Sequence, residues 1–172
     1  GAPLRLSRLQ DIEAQLGEAP DKITRLAALF VDTPRDAEQL ASRLRLSGTD
    51  RSALAATAAA APAFATAGSE KELRAQLYRV GRDTGARALR LAWAQTPAAA
   101  SDAKWTENCR FTRRWQPPTL PFTGADVLAL GVDAGPRVGH ILKAFEAWWI
   151  AADFPSDRAA LAQKLAVLAA EN

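Results

Sequence analysis

Four times along this chain a hydroxyl residue stands three positions before an acid: Thr33 before Asp36, Ser47 before Asp50, Ser69 before Glu72 and Thr123 before Asp126. At that spacing the hydroxyl accepts from a free amide in the first turn of a helix while the acid reaches back to the hydroxyl residue's own amide, so each pair marks a helix start. Pro34 strengthens the first of them, because the first helical position has no use for the amide that proline lacks. Alternating β-branched runs and Asn-Gly or Asp-Gly hairpin turns are absent, which leaves little from which to build a sheet. The expected fold class is all-α: a multi-helix body with a small C-terminal helical tail.

The apolar spacing predicts nine helices, roughly Leu4 to Leu16, Asp21 to Phe30, Pro34 to Leu44, Gly48 to Ala61, Glu70 to Gln95, Ala98 to Trp115, Gly124 to Leu130, Pro136 to Ile150 and Asp157 to Ala170. Between the sixth and seventh, Gln116-Pro117-Pro118-Thr119-Leu120-Pro121 cannot continue a helix, since three of its residues are proline. The organisation read from this is a body over 1–116, a Pro-rich hinge at 117–121 and a tail over 122–172.

The net charge is only +3, yet it is unevenly placed. Lys71 to Arg90 holds 6 basic residues against 2 acidic, and Lys104 to Arg114 holds 4 against 1. On a helical wheel for 70–95, Leu73, Leu77, Val80, Thr84, Ala88 and Leu91 share one stripe, while Lys71, Tyr78, Arg79, Arg82, Arg90 and Trp93 gather opposite. Arginine forks onto phosphate oxygens and stacks on bases, and a tyrosine ring offers a flat surface, so a basic and aromatic face suits RNA. Arg110, Arg113 and Arg114 fall close together on the next helix; cations in a last turn also complement the helix dipole, which accounts for one or two of them. The candidate RNA-binding residues are therefore Tyr78, Arg79, Arg82, Arg110, Arg113 and Arg114.

Catalytic candidates are scarce. Metal-assisted nucleotidyl transfer needs carboxylates that converge on divalent cations, and the one close pair, Asp11 and Glu13, lies on a predicted helix where residues two apart point away from each other. His140 is the sole histidine, and no phosphate loop of the G-x-x-x-x-G-K type occurs. The single cysteine, Cys109, reads as a small buried apolar residue. No catalytic and no metal-binding residue is assigned, and the chain is expected to be soluble and intracellular, with no membrane segment. It contains 0 Met and opens Gly1-Ala2-Pro3, so it is expected to be a fragment or a processed chain, with Gly1 a possible tag remnant.

From Leu120 onward the sequence reads LPFTGADVLALGVDAGPRVGHILKAFEAWWIAADFPSDRAALAQKL. Its Pro121, Phe122, Gly124, Asp126 and Val127, then Leu130, Gly131, Gly135, Pro136, Val138, Gly139 and Leu142, then Trp148 or Trp149, resemble the tail of bacterial tRNA nucleotidyltransferases (CCA-adding enzymes) and the related poly(A) polymerases. Val127 stands where that pattern more often has Leu. Upstream, Ile23 to Phe30 and Leu40 to Ser47 resemble body helices of the same family, so the likeness spans most of the chain.

The resemblance implies a division of labour. In that cytoplasmic family a head domain holds magnesium and ATP or CTP, a neck selects the nucleotide, and body and tail grip the acceptor stem and elbow of tRNA or another RNA 3′ end. The implied function here is RNA binding within such an enzyme; this chain alone, lacking the head, is expected to be inactive and to need no cofactor of its own. The implied partners are tRNA and the parent's head and neck. In the tail, Gly131 is expected to end a short helix and Pro136 to open the next. Gly139 is expected to allow close helix approach, above a buried stripe of Val138, Ile141, Leu142, Phe145 and Trp149. Gly135, Arg137 and Gly139 are candidates for a phosphate contact at the helix N-terminus. Two other readings fit the same residues: a helical protein-interaction scaffold anchored by Trp148, Trp149 and Phe154, and a helix-hairpin-helix DNA-binding module.

Overall fold

A computed structural model describes residues 2–171 and contains ten α-helices and no strand among them. The fold is all-α. The chain divides into two compact units, Gly1–Pro117 and Pro118–Asn172.

The first unit comprises α1 (Ala2–Leu16), α2 (Lys22–Phe30), α3 (Pro34–Arg43), α4 (Gly48–Thr66), α5 (Glu70–Val80), α6 (Arg82–Gln95) and α7 (Ala103–Arg114). Its centre is α6, which packs against α1, α2, α4, α5 and α7. The residues of α6 explain this position: Gly85, Ala88, Leu89, Leu91, Ala92, Trp93 and Ala94 are all buried, so small side chains admit neighbours on several sides. At Gly85 an added Cβ would overlap the Leu77 side chain and come within 3.3 Å of Phe64, so α6 sits against α4 and α5 at a distance only glycine permits. Trp93 is fully buried; its Nε1 donates to the Ala99 carbonyl at 3.1 Å and its ring stacks on Trp105 with centroids 5.9 Å apart.

Three helix boundaries differ from those read in the sequence. The predicted helix over 70–95 is two helices, because Gly81 at φ 79° lies in the left-handed region; its amide closes α5 on the Leu77 carbonyl and the chain then restarts as α6. The next helix begins at Ala103 rather than Ala98, where the Asp102 carboxylate accepts from the Trp105 amide at 3.1 Å. The intervening stretch is pinned by Trp93, and by Arg8, which donates to the Ala98 carbonyl at 2.8 Å. Finally, α4 runs through Pro62 to Thr66 instead of stopping at Ala61. Ala61 and Phe64, on either side of the proline, are both 2% exposed, so burial holds the helix across a residue that removes one of its hydrogen bonds.

The second unit comprises α8 (Gly124–Ala129), α9 (Pro136–Ala151) and α10 (Arg158–Glu171), with α9 packed against both others. Its core is Phe122, Val127, Val132, Ile141, Phe145, Trp149, Ile150, Leu161, Leu165 and Ala169. Gly131, at φ 84°, follows α8 in the left-handed conformation, and its amide donates to the Leu128 carbonyl. After α9 the chain reverses through Asp153 and Phe154, both at positive φ. The Trp149 Nε1 bond to the Pro155 carbonyl at 2.9 Å and the edge contact of Phe154 on Trp149 hold that turn.

Candidate nucleic-acid interface

Of the four capping pairs, the one at Ser69 opens α5, which carries Tyr78 and Arg79. Ser69 and Glu72 form a complete capping box at the start of α5, as Thr33 and Asp36 do at α3. At α8 the Asp126 carboxylate accepts from both the amide and the hydroxyl of Thr123. At α4 only the forward half forms: Ser47 Oγ accepts from the Asp50 amide, while Asp50 turns to Lys22 Nζ at 2.8 Å. The Gly68 and Ser69 amides hold the Glu72 carboxyl below its usual range, and Lys104 at the start of α7 adds to this.

Along α5, Arg79 is exposed and Tyr78 half-buried, and Arg82 is the exposed first residue of α6. Arg110, Arg113 and Arg114 lie within the last five residues of α7, with all three exposed. Their electrostatic surroundings differ. Arg114 pairs with Glu107 at 2.6 Å, both side chains more than half exposed. Arg113 pairs with Glu18. For Arg79, Arg82 and Arg110 no acidic partner occurs among the described residues.

The wheel drawn over 70–95 fails beyond Gly81, since the break resets the helix axis. Arg90 is not on an outer face: its side chain is 11% exposed and pairs with Glu18. Trp93 is core. Arg87 is likewise engaged, with Nε 3.2 Å from Asp21. The acids responsible, Glu18 and Asp21, sit in the loop between α1 and α2, far from α6 in sequence. Glu13, 4% exposed, joins them by accepting from Arg25 at 2.7 and 3.0 Å. Burial raises the Asp21 carboxyl, but hydrogen bonds from Thr24 and the charge of Arg87 outweigh it and leave the group below its ordinary value of 3.8. No local signal announces this network, whose Arg87 and Arg113 contacts span 66 and 95 residues.

Glu18, Arg90 and Arg113 line a cleft of about 190 Å³ together with Ala86, Leu89, Cys109 and Thr112. Burial pushes the Cys109 thiol up to about 12 despite the two arginines beside it, so it stays protonated at neutral pH and is a poor nucleophile. Asp11 is exposed while Glu13 is buried against Arg25, so these two carboxylates do not converge on one ion. Among the described residues no group of three His, Cys, Asp or Glu could hold a metal ion. The residues present thus do not fit the magnesium site of a nucleotidyltransferase. No described helix is long and apolar enough to cross a membrane.

In the second unit the phosphate candidates are dispersed in role. Arg137 donates to the Ala169 carbonyl at 3.1 Å and so caps the end of α10. Gly135 precedes α9 without a side-chain cap. Gly139 does not mediate close packing: an added Cβ there meets nothing within 4 Å. Of the aromatic anchor in the scaffold reading, Trp149 is buried, while Trp148 and Phe154 are half-buried. Trp149 is 3% exposed, Phe154 packs on it, and Trp148 lies tilted against Phe145 with Lys164 over its ring. No protein-family model matches the chain, and no curated protein matches it.

Proposed function

We propose that this chain binds RNA, tRNA above all, through exposed arginines of α5, α6 and α7, as the body and tail of a cytoplasmic bacterial tRNA nucleotidyltransferase or poly(A) polymerase whose catalytic head lies outside it. The observation that carries the reading is the set Arg79, Arg82 and Arg110, three exposed guanidinium groups that form no ion pair with an acid among the described residues. An arginine without an internal partner exchanges only water and counterions for a phosphate oxygen, which is the main source of sequence-independent affinity. The sequence resemblance of the tail supplies the family. Metal chemistry and nucleotide selection belong to the parent's head and neck in this reading; among the described residues no group of three His, Cys, Asp or Glu could hold a metal ion.

The test is tRNA binding by the 172-residue chain over a range of salt. Replacing Arg79, Arg82 and Arg110 together by Gln should weaken binding equally for different tRNAs and reduce the salt slope by roughly three units, about one per phosphate contact. Unchanged affinity and slope, with helicity intact by circular dichroism, would remove the RNA-binding reading. With magnesium and labelled ATP or CTP, the same chain should extend no tRNA.

A further inference from the structure

The three arginines of α7 differ in what holds them, and the difference is built by a residue from another element. Glu18, 13% exposed, offers one carboxylate oxygen to Arg90 of α6 and the other to Arg113 of α7. Arg90 is nearly buried; Glu18 pairs with it, and Glu13 adds a second favourable charge nearby. Were Glu18 to swing away from the cleft, Arg90 would lose its paired carboxylate and keep only the charge of Glu13. Arg113 lies on the rim, half exposed, and is held by the carboxylate's remaining oxygen. Any phosphate that takes Arg113 must compete with a carboxylate held in place and largely shielded from water. Arg114 faces no such competitor. Its partner Glu107 is itself more than half exposed, and such a pair is screened and weak.

We propose that Glu18 is an internal phosphate mimic that withholds Arg113 from RNA, so that α7 offers Arg110, and Arg114 on exchange, but not the third member of the cluster. This rests on the RNA-binding reading above. It makes Glu18 a residue that limits affinity. For a protein that must release each RNA after use, that limit keeps binding weak and reversible without removing the charge that steers encounter.

Glu18→Gln removes the counter-charge while keeping the side chain's size. In the 172-residue chain it should tighten tRNA binding about three- to tenfold at moderate salt and steepen the salt slope by roughly one unit, as one added phosphate contact does. Arg113→Gln alone should change the affinity by less than about twofold, whereas Arg110→Gln should weaken it by one full contact. Adding Arg113→Gln to Glu18→Gln should erase the gain. The proposal is overturned if Glu18→Gln leaves affinity and slope unchanged, or if Arg113→Gln weakens binding as much as Arg110→Gln. Should Glu18→Gln fail to fold, the comparison of Arg113→Gln with Arg110→Gln in the otherwise native chain decides the matter. If the native chain binds no tRNA, or Arg110→Gln has no effect, it is the RNA-binding reading that falls.

Discussion

Lys71 to Arg90 is one basic run in the sequence and two different regions in the structure, divided at Gly81. Flanking the break, Arg79 and Arg82 are exposed and form no ion pair with an acid among the described residues. Beyond it, Arg87 and Arg90 turn inward and are matched by Asp21 and Glu18. The same residue type is thus left in solvent at Arg79 and Arg82 and serves cohesion at Arg87 and Arg90. Desolvation makes the difference: an arginine in water needs no partner, whereas one taken into a core requires a carboxylate.

The sharpest way to break this comparison is to remove one arginine from each side. Arg90→Gln strands Glu18 against Arg113 alone and should lower stability in urea by about 3 kcal/mol or more. Arg79→Gln should stay within about 0.5 kcal/mol of the native chain, as surface substitutions do. Equal losses would mean that the two regions are not distinct.

Next in size is the packing that puts α6 at the centre. Gly85→Ala forces its methyl into Leu77 and Phe64 and should cost a net of roughly 1 to 2 kcal/mol, overpacking outweighing the gain in helix propensity. Gly139→Ala in α9 meets open space and should instead stabilise its unit by about 0.5 to 1 kcal/mol. Thermal melts that showed the same sign for both would contradict the packing described here.

The smallest effect concerns the Asp21 and Arg87 pair, each about one quarter exposed. Because the folded Asp21 carboxyl titrates below its ordinary value of 3.8, its contribution is fully present above that value and is lost as pH falls through the lower folded one. Asp21→Asn retains a side chain able to cap α2 but not the charge, so at neutral pH it should lose under about 1 kcal/mol. The gap between the two proteins should close as acid protonates Asp21. A gap that persisted unchanged into strong acid would show that the Asp21 charge, held by Thr24 and Arg87, was not responsible.

What the sequence alone determined was local. Thr33, Ser69 and Thr123 start α3, α5 and α8 because a hydroxyl and an acid three residues apart meet within one helical turn. Ile141, Phe145 and Trp149 recur at the period that faces one side of α9 to the core. Gly81 lies inside the pattern read as one helix over 70–95, and its positive φ divides that pattern in two. Only the tertiary structure decided that α4 crosses Pro62, since the Phe64 it carries into the core lies beyond the proline. It also decided that Gly85, and not Gly139, is the glycine of close approach. The arginines show the limit most clearly. Which of them are free depends on Glu18 and Asp21, dozens of residues away in the chain, and a charge pattern along one helix holds no record of which acids the fold will bring against it.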